Sequence, residues 1–373
     1  MTTDPTRVGL CFRCVNARTV ETRRALYWRC GVSDTDPRYE RYPRLPVLQC
    51  AAFVERGKAQ SGAPRPASAV GSALALPRLG VGAMTWGHRS ILAYGGADSA
   101  EEERRAFEAS LAGGATLIDT AEFYGFGRSE RRVGELARGP EAIVATKFLP
   151  WPWRGARDLP RALHASLARL GRSSVDLYQI HFPVPWMSTR DLAGRLADAV
   201  AAGKTRAVGV SNYSEQQMRL AHEGLARHGV PLASNQVHYS LLHRAPERNG
   251  VLAACRELGV ALIAYCPLEQ GLLSGKYSPE ARPRGTRRFG ANFDPRRLAA
   301  LAPLFDLLRG IAARHGRTPV QVALRWLIEH EGVVPIPGAK NGRQAAENAA
   351  ALSFALEPHE LEALSAATRP LPG

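Results

Sequence analysis

The chain has 373 residues, a formal net charge of +15 and a hydrophobic fraction of 45%. This length allows one large α/β domain with something small beside it, since α/β barrels alone commonly reach about 250 residues. Apolar runs stay well short of the roughly 20 residues that cross a bilayer, so a soluble protein without a membrane partner is expected. The basic cluster from Arg282 to Arg297 has no zinc-finger repeat, RNP-like aromatic run or basic amphipathic helix beside it, so no nucleic-acid partner is expected.

Lysine is unusually scarce in this sequence. Lys and Arg together number 49, and the Lys residues among them are Lys58, Lys147, Lys204, Lys276 and Lys340. Arg keeps its proton under all ordinary conditions, whereas the pKa of a Lys side chain moves when the side chain is buried. Because Arg has replaced Lys almost everywhere, each remaining Lys is a candidate for specific chemistry.

Residues 1–56 differ from the rest of the chain, since they hold four of the six cysteines and lack a helix-period run. Four thiols suffice for a tetrahedral zinc site, and a metal would stabilise so short a module. The candidate ligands are Cys11, Cys14, Cys30 and Cys50. A disulfide-linked segment and a disordered or targeting tail, such as a plastid transit peptide, are the alternatives, although transit peptides avoid the acidic residues found here. Residues 57–75, rich in Gly, Ala, Ser and Pro, predict a flexible linker to a domain at 76–373.

Residues 76–373 alternate short β-rich runs with helical patterns, which is typical of βα units around a parallel sheet. Eight strands are predicted, near 79–83, 116–120, 142–147, 175–181, 206–210, 233–238, 261–266 and 333–336. Predicted helix caps are Ser99 with Glu102, Ser214 with Gln217, and Thr318 with Pro319 and Gln321. Eight strands with intervening helices over about 300 residues predict a closed (β/α)8 TIM barrel, in which functional groups lie at the C-terminal strand ends.

A doubly wound dinucleotide-binding fold is the main alternative to the barrel. Gly80-Val81-Gly82 resembles the start of a Gly-rich phosphate loop. However, Gly87 comes too late to be the third glycine, and no clear βαβ unit with a ribose-binding acid follows. The barrel therefore remains the prediction.

Three predicted strands end in or next to ionisable residues. The segments are LIDTAEFYG at 117–125, ATKF at 145–148 and YQIHFP at 178–183. Burying an Asp, a Tyr, a Lys and a His at successive strand ends costs free energy unless they pair, so we expect them to converge on one site. These four residue types together indicate proton transfer to a carbonyl oxygen.

Taken together, the motifs resemble those of the aldo-keto reductase family, over about residues 76–355. Besides the three segments above, the resemblance rests on LGVG at 79–82, WG at 86–87, GVSNY at 209–213, NQVHYSLL at 235–242, AYCPLEQGLLSGKY at 264–277, and PIPGAKN at 335–341 followed by Glu347-Asn348. The later motifs are most similar to a branch of plant-chloroplast and bacterial oxidoreductases that includes pyridoxal-reductase-like enzymes. The resemblance implies a catalytic tetrad of Asp119, Tyr124, Lys147 and His181.

Elementary chemistry supports the role that the resemblance implies for each member of the tetrad. Hydride addition to a carbonyl leaves negative charge on oxygen, and Tyr124 would donate the proton that neutralises it. A free phenol has a pKa of about 10, and a buried Lys147 ammonium held by Asp119 would lower it. His181 would hydrogen-bond the same oxygen and fix its orientation.

The resemblance also implies a nicotinamide dinucleotide cofactor, with NADPH preferred over NADH. Ser211, Asn212 and Gln236 would hold the nicotinamide carboxamide, and Tyr265 would stack on the ring. The residues implied around the pyrophosphate, the 2′-phosphate and the adenine are Pro267, Leu268, Gly271, Leu273, Lys276, Gly338, Lys340, Asn341, Arg343, Gln344, Glu347 and Asn348. A helix N-terminus flanked by Lys and Arg suits a 2′-phosphate.

Further expectations concern the surroundings of this site. The basic segment 278–298 is expected to be a mobile loop near the cofactor or the substrate mouth, and both barrel cysteines, Cys255 and Cys266, are expected to be buried. Five aromatic residues of the βα-loop regions are candidates for an apolar substrate pocket, with core or surface packing as the alternative for the tryptophans: Trp86, Phe123, Trp151, Trp153 and Trp186.

The predicted function is the NADPH-dependent reduction of small aldehydes or ketones to alcohols by direct hydride transfer. A cytoplasmic location is expected, or a plastid location if the N-terminus is a transit peptide. Two alternatives stay open. One is a regulatory subunit that binds the cofactor in the barrel but turns over little. The other is an adaptor that acts through a zinc module in the N-terminal segment, with the barrel as an accompanying domain.

Overall fold

The computed structural model describes residues 8, 10–14, 17–21, 26–30, 33, 40, 42–47, 50, 74–87, 99–283 and 285–369. Contacts between its Cα atoms divide the chain into two units, Met1–Ala63 and Pro64–Gly373. Most of the predicted linker at 57–75 lies outside the described residues. The boundary at residue 56 stays a prediction.

The first unit contains a short helix and a β-hairpin. Helix α1 spans Leu10–Arg13, and strands β1 (Ala17–Glu21) and β2 (Leu26–Cys30) pair antiparallel, with Ala17 opposite Cys30. Val8, Cys14, Ala17 and Trp28 form its small apolar core. Each strand has 5 residues, and neither of them is predicted from the sequence.

The second unit is a barrel of eight parallel strands, which confirms the predicted fold class. The strands are β3 (Gly80–Gly82), β4 (Leu117–Asp119), β5 (Ile143–Phe148), β6 (Val175–Ile180), β7 (Thr205–Ser211), β8 (Leu232–His238), β9 (Ala261–Tyr265) and β10 (Val333–Pro335). They follow one another in chain order around the sheet. The first and last strands meet where the Gly82 amide donates to the carbonyl of Pro337, at 3.1 Å. Every predicted strand forms, and each observed end lies within one residue of the predicted end.

Helices alternate with the strands along the chain. Those in the second unit are α2 (Ser99–Ala112), α3 (Arg128–Leu136), α4 (Leu159–Leu170), α5 (Thr189–Ala201), α6 (Glu215–Ala226), α7 (Ala245–Arg248), α8 (Val251–Leu258), α9 (Pro295–Ala300), α10 (Ala302–Arg314), α11 (Pro319–Ile328), α12 (Gly342–Ala349) and α13 (Pro358–Thr368). The predicted capping boxes at Ser214 and Thr318 both form. Within the described ranges, the helices are too short or too polar to cross a membrane.

The barrel interior is divided into an apolar layer and a polar layer. Leu117, Ala145 and Leu177 belong to one buried apolar cluster inside the barrel, which also contains Leu74 and Leu76 from the segment before β3. Side chains two residues apart on a strand face the same side. The positions two residues beyond Leu117, Ala145 and Leu177 are Asp119, Lys147 and Gln179, so the interior becomes polar toward the C-terminal strand ends.

Gly80 and Gly82 belong to strand β3 of the barrel and not to a phosphate loop, so the doubly wound alternative was wrong. Strand β3 pairs in parallel with β4, with Gly80 beside Leu117. A Cβ atom on Gly80 would lie 2.8 Å from the Leu117 carbonyl oxygen and 2.9 Å from its Cβ. These glycines therefore serve close strand packing.

The close approach at Gly80 predicts a sign difference between two Gly-to-Ala substitutions. Gly80→Ala should lower the free energy of unfolding by about 1–3 kcal/mol, because the new methyl group meets rigid backbone. Gly310 lies exposed within helix α10. A Cβ atom added there would lie 3.8 Å from its nearest neighbour, a side-chain atom of Arg314. Gly310→Ala should raise the free energy of unfolding by about 0.5–1 kcal/mol. Urea denaturation of both variants checks this, and equal effects would contradict the packing at β3.

Candidate active site

Four ionisable side chains meet at the C-terminal ends of β4, β5 and β6. Asp119 is the last residue of β4, Lys147 is next to last in β5, and His181 follows β6 directly. Tyr124 lies in the connection after β4, where its amide donates to the Ala121 carbonyl at 3.0 Å. The structure thus brings together the four residues proposed as the tetrad.

Lys147 and Asp119 form a fully buried ion pair. The ammonium donates to Oδ2 of Asp119 at 2.6 Å and to the Thr120 carbonyl at 2.8 Å, and the two side chains are 0% and 2% exposed. Burial disfavours the ammonium, but Asp119, together with Tyr124, outweighs burial and raises the pKa of Lys147. Lys147 therefore keeps its charge inside the barrel.

Tyr124 places its phenol hydroxyl close to that charge. Its hydroxyl lies 3.4 Å from Nζ of Lys147, and Nζ is 4.9 Å from the centre of its ring. Burial raises the pKa of Tyr124, Lys147 lowers it and Asp119 raises it, with a net increase. Lys147 lowers the pKa of Tyr124 as expected, but desolvation of the phenolate outweighs this attraction, so the net shift is upward.

His181 packs beside Tyr124 as a neutral imidazole. The two rings are 5.7 Å apart and nearly perpendicular, while His181 stacks on Phe182 at 4.7 Å. Burial, helped by the nearby Lys147 charge, lowers the pKa of His181 to about 3. A neutral imidazole still donates one N–H, so His181 is able to hydrogen-bond an oxygen held near Tyr124.

The four residues predicted to hold a nicotinamide ring form one connected group. The Tyr265 hydroxyl donates to Oδ1 of Asn212 at 3.0 Å, and Nδ2 of Asn212 donates to the hydroxyl oxygen of Ser211 at 3.0 Å. Ser211 in turn donates to the Gln236 carbonyl at 2.9 Å. Nε2 of Gln236 donates to Oδ1 of Asp119 at 2.8 Å, which joins this group to the tetrad.

The loop predicted to wrap a pyrophosphate follows β9 and contains a short 3-10 segment, Glu269–Ser274. Gln270 and Gly271 are both left-handed, with φ of 55° and 87°, a conformation that turns successive backbone amides toward one side. Pro267 and Leu273 are buried, Leu268 and Gly271 half-buried, and Lys276 exposed.

Arg287 contacts this loop through its side chain. The sequence does not identify it as a site residue. Its Nη2 donates to the Gln270 carbonyl at 2.5 Å and to the Tyr277 hydroxyl at 3.2 Å. Lys340 is also near: partial burial lowers its pKa to about 8, and the charges of Arg287 and Lys276 contribute to the shift. The three cations therefore lie close enough to repel one another. Because Arg is abundant in this segment, the sequence alone does not distinguish Arg287 from the other Arg residues.

The segment 278–298, predicted as a mobile loop, contains regular structure in its described residues, and its mobility stays a prediction. It contains two 3-10 turns, Gly285–Phe289 and Ala291–Phe293, and the start of helix α9. Phe293 is fully buried, and the carboxylate of Asp294 accepts from the amides of Arg296 and Arg297 as the helix cap. A buried anchor and a cap therefore give the segment regular structure.

The predicted adenine and 2′-phosphate residues surround the start of helix α12. Asn341 caps the helix by accepting from the Gln344 amide at 2.9 Å, and Gln344 accepts from the Lys340 amide at 3.0 Å. Asn348 is buried and donates to the carbonyl of Gly338 at 3.3 Å. Lys340, Arg343 and Gly338 are exposed, and Glu347 is half-buried. The exposed cations at a helix N-terminus form a good anion site.

The carboxylate of Glu269 connects several chain segments at this end of the barrel by hydrogen bonds. Its Oε1 accepts from His238 at 2.7 Å and from Ser240 at 2.6 Å, and its Oε2 accepts from Asn292 at 3.2 Å. Burial alone would raise the pKa of Glu269, but these hydrogen bonds lower it overall. His238 also stacks with Tyr265, at 5.4 Å. Sequence carries no signal for this group, because Glu269 and its partners come from three separate segments of the chain.

Aromatic side chains of the βα-loop regions remain accessible, with one exception. Phe123, Trp151, Trp153 and Trp186 are 48%, 38%, 77% and 52% exposed, which suits the predicted apolar pocket or surface packing. Trp86 is 1% exposed and donates to the Ala339 carbonyl at 2.8 Å, so it is a core residue.

Of the two barrel cysteines, only one is buried as predicted. Cys255 is buried, but Cys266 is exposed. Cys266 directly follows β9 in the left-handed conformation, with φ of 51°, which ends the alternation of the strand.

The predicted zinc site at Cys11, Cys14, Cys30 and Cys50 is not supported. Among the described residues, no group of three or more His, Cys, Asp or Glu is arranged to hold a metal ion. All four thiols are free, so the disulfide alternative is not borne out. Burial raises the pKa of the Cys11 thiol, and the other three cysteines raise it further. The four thiols thus lie near enough to interact electrostatically.

Comparison with known families identifies the second unit. The sequence profile described as Aldo/keto reductase family matches residues 78–369. The chain belongs to the aldo/keto reductase family. The match spans all eight barrel strands, so the predicted enzyme class, an oxidoreductase of this family, is confirmed.

Curated aldo/keto reductase relatives are similar over most of the barrel. A chloroplastic pyridoxal reductase of Arabidopsis thaliana is 37% identical over 315 residues, which cover 80% of this chain and 85% of the relative. An uncharacterised oxidoreductase of Mycobacterium bovis is 39% identical over 295 residues, covering 77% and 86%. The predicted resemblance to this branch is confirmed.

Solved aldo/keto reductase structures share the fold. A glycerol dehydrogenase of Gluconobacter oxydans has a TM-score of 0.70 and 29% identity, covering 80% of this chain and 93% of its own. An aldo/keto reductase of Klebsiella pneumoniae, solved with NADP and acetate, has a TM-score of 0.64 and 30% identity, covering 79% and 93%.

The buried neutral His181 predicts a pH dependence of stability. An unfolded His has a pKa of about 6.5, whereas folding lowers the pKa of His181 to about 3. Stability from this group is therefore complete above about pH 6.5 and is lost as the pH falls, by about 1.4 kcal/mol for each pH unit. Urea unfolding at pH 7 and pH 5 should show a smaller loss in His181→Gln than in the wild type, by about 2 kcal/mol. Equal losses would place a charged imidazole in the folded protein.

Proposed function

We propose that this protein reduces aldehydes and ketones to alcohols with NADPH, and that Tyr124 donates the proton. The observation that carries the proposal is the Tyr124 hydroxyl, 3.4 Å from the buried ammonium of Lys147 and beside the neutral His181 ring. A proton donor, a fixed positive charge and a neutral hydrogen-bond donor at one point are what a developing alkoxide requires.

The residues divide the reduction between them. When bound, NADPH supplies a hydride that forms the new C–H bond at the carbonyl carbon. Tyr124 breaks its O–H bond and transfers the proton to the carbonyl oxygen, so the product is a neutral alcohol. Lys147 stabilises the phenolate that remains until water restores its proton, and Asp119 keeps Lys147 charged. His181 donates to the same oxygen and orients it.

The polar residues at the strand ends fit a nicotinamide dinucleotide. Asn212 and Gln236 provide amides that match a carboxamide, and Tyr265 provides a flat face at the same point. The left-handed turn at Gln270 and Gly271, together with Lys276, suits a pyrophosphate. The NADP complex of the related Klebsiella enzyme supports this choice of cofactor.

The start of helix α12 supports the preference for NADPH. Arg343 and Lys340 flank the helix N-terminus and are exposed to an arriving ligand. A 2′-phosphate there would receive backbone amides and charged donors together.

Exposed aromatic side chains at the loops support an apolar or aromatic carbonyl substrate. Phe123 follows β4 and Trp151 follows β5, the strands that carry Asp119 and Lys147. Because the Arabidopsis relative is a pyridoxal reductase, pyridoxal belongs in the assay beside aromatic aldehydes and dicarbonyls.

Replacing one hydroxyl tests the reductase directly. Tyr124→Phe should lower kcat by at least about a hundredfold, because the general acid is lost, while NADPH binding is retained. Tyr178→Phe is the matched control, since Tyr178 is fully buried and its hydroxyl makes no hydrogen bond within the described residues. NADPH consumption over the carbonyl panel, with fluorescence titration of NADPH, measures both quantities.

The result also distinguishes the alternative of a regulatory subunit. Equal turnover in the wild type and Tyr124→Phe would exclude Tyr124 as the acid. Tight NADPH binding without turnover in the wild type would favour a cofactor-binding subunit.

The 2′-phosphate assignment has its own test. Arg343→Gln should weaken NADPH binding about tenfold and leave NADH binding within about twofold, because only NADPH carries the additional phosphate. Arg195→Gln, at an exposed position of helix α5, removes the same charge and is the control. Equal weakening of both cofactors would contradict the assignment.

A further inference from the structure

Gln179 is a buried side chain beside the tetrad, and the proposed reaction does not use it. It lies on β6, two residues before His181, and is 0% exposed. In the strand register it is the direct neighbour of Lys147 on β5 and of Gly209 on β7. A fully buried carboxamide must satisfy its hydrogen bonds inside the protein, so its partners reveal its role.

Both ends of the Gln179 carboxamide have a partner. Its Nε2 donates to Oδ1 of Asp119 at 3.4 Å, and its Oε1 accepts from the hydroxyl of Ser234 at 3.2 Å. Ser234 is also fully buried. A donor at one end and an acceptor at the other polarise the amide in the same direction, which strengthens the bond to Asp119.

Gly209 provides the space for this contact. A Cβ atom on Gly209 would lie 2.2 Å from the Ser234 hydroxyl oxygen and 3.1 Å from Cγ of Gln179. The strand between β6 and β8 therefore carries no side chain where the two polar groups meet. A larger residue there would separate Ser234 from Gln179.

The three side chains that donate to Asp119 bind different oxygens of its carboxylate and differ in what else they contact. Lys147 occupies Oδ2, at 2.6 Å, while Gln236 and Gln179 share Oδ1, at 2.8 and 3.4 Å. In the proposed function Gln236 also meets the nicotinamide carboxamide. Gln179 has no exposed surface, so its bond to Asp119 serves the protein alone.

We propose that Gln179, held by Ser234, is a positioning residue that orients Asp119 so that Oδ2 keeps the Lys147 ammonium beside Tyr124. This role rests on the proposed function. It extends the site from the four tetrad residues to a further side chain of the polar layer that holds Asp119 and Lys147. Nothing is transferred through Gln179, since it acts by fixing the plane of the carboxylate.

Gln179→Met tests the role, because methionine has a similar length and cannot donate to Asp119. We expect kcat to fall about tenfold, with NADPH affinity within about twofold of the wild type. Removing a donor from a carboxylate favours its protonated form, so the pH below which kcat declines should move upward. Ser234→Ala should shift the profile in the same direction by a smaller amount, since Gln179 remains but is less firmly held.

Asn235→Leu controls for the loss of a buried amide. Asn235 is 0% exposed on strand β8, and its Nδ2 donates to the Tyr213 carbonyl at 3.0 Å, away from Asp119. This variant should lose stability without a change in the pH profile. If Gln179→Met behaves like Asn235→Leu, or keeps the wild-type rate and profile, the positioning role is excluded.

A structural readout separates this proposal from the proposed function. A crystal structure of Gln179→Met should show Asp119 rotated and the Lys147–Asp119 distance longer than 2.6 Å. An unchanged pair would overturn the positioning role even if the wild type reduces carbonyls. A wild type without turnover would overturn the reductase, and the Asp119 geometry would still decide the role of Gln179. If Gln179→Met does not fold, the kcat profile and the structure of Ser234→Ala decide it by the same criteria.

Discussion

The charge on Lys147, fully buried inside the barrel, is the constraint on which the site depends. An isolated ammonium in such a place costs several kcal/mol, so it requires a carboxylate at contact distance and further acceptors. Asp119 and the Thr120 carbonyl provide them, at 2.6 and 2.8 Å. The carboxylate then needs donors of its own, which come from β6 and β8. One buried charge thus fixes the relative positions of four strands.

Parallel strands give this network its location. All eight strands run in the same direction, so the apolar layer that contains Leu117 and Leu177 forms one end of the interior and the polar layer forms the other. Because the loops that follow the strands begin at the polar end, the ion pair lies where a ligand arrives. The apolar layer closes the other end of the interior, and Lys147 is 0% exposed to water.

Local sequence predicts the strands and the four strand-end residues, because each is visible within a short window. Residues whose role depends on distant partners are different. Gln179 looks like any polar strand residue, while its partners Asp119 and Ser234 lie 60 and 55 positions away. Trp86 has its hydrogen-bond partner 253 positions away, so its burial was not visible in its own segment. The pKa of Tyr124 shows a further limit, since the sequence identifies the neighbouring charges but not the degree of burial that outweighs them.

The protonation states at the site match what the proposed reduction requires at its start. Burial raises the pKa of Tyr124 and lowers that of His181, so the phenol holds its proton and the imidazole is neutral near pH 7. Reduction consumes a phenol proton, whereas oxidation needs the phenolate at the start. Lys147, 3.4 Å away, stabilises that phenolate once the proton has moved. The desolvation that makes Tyr124 a weaker acid therefore keeps its proton in place between turnovers, and the fixed ammonium lowers the free energy of the phenolate that proton transfer leaves behind.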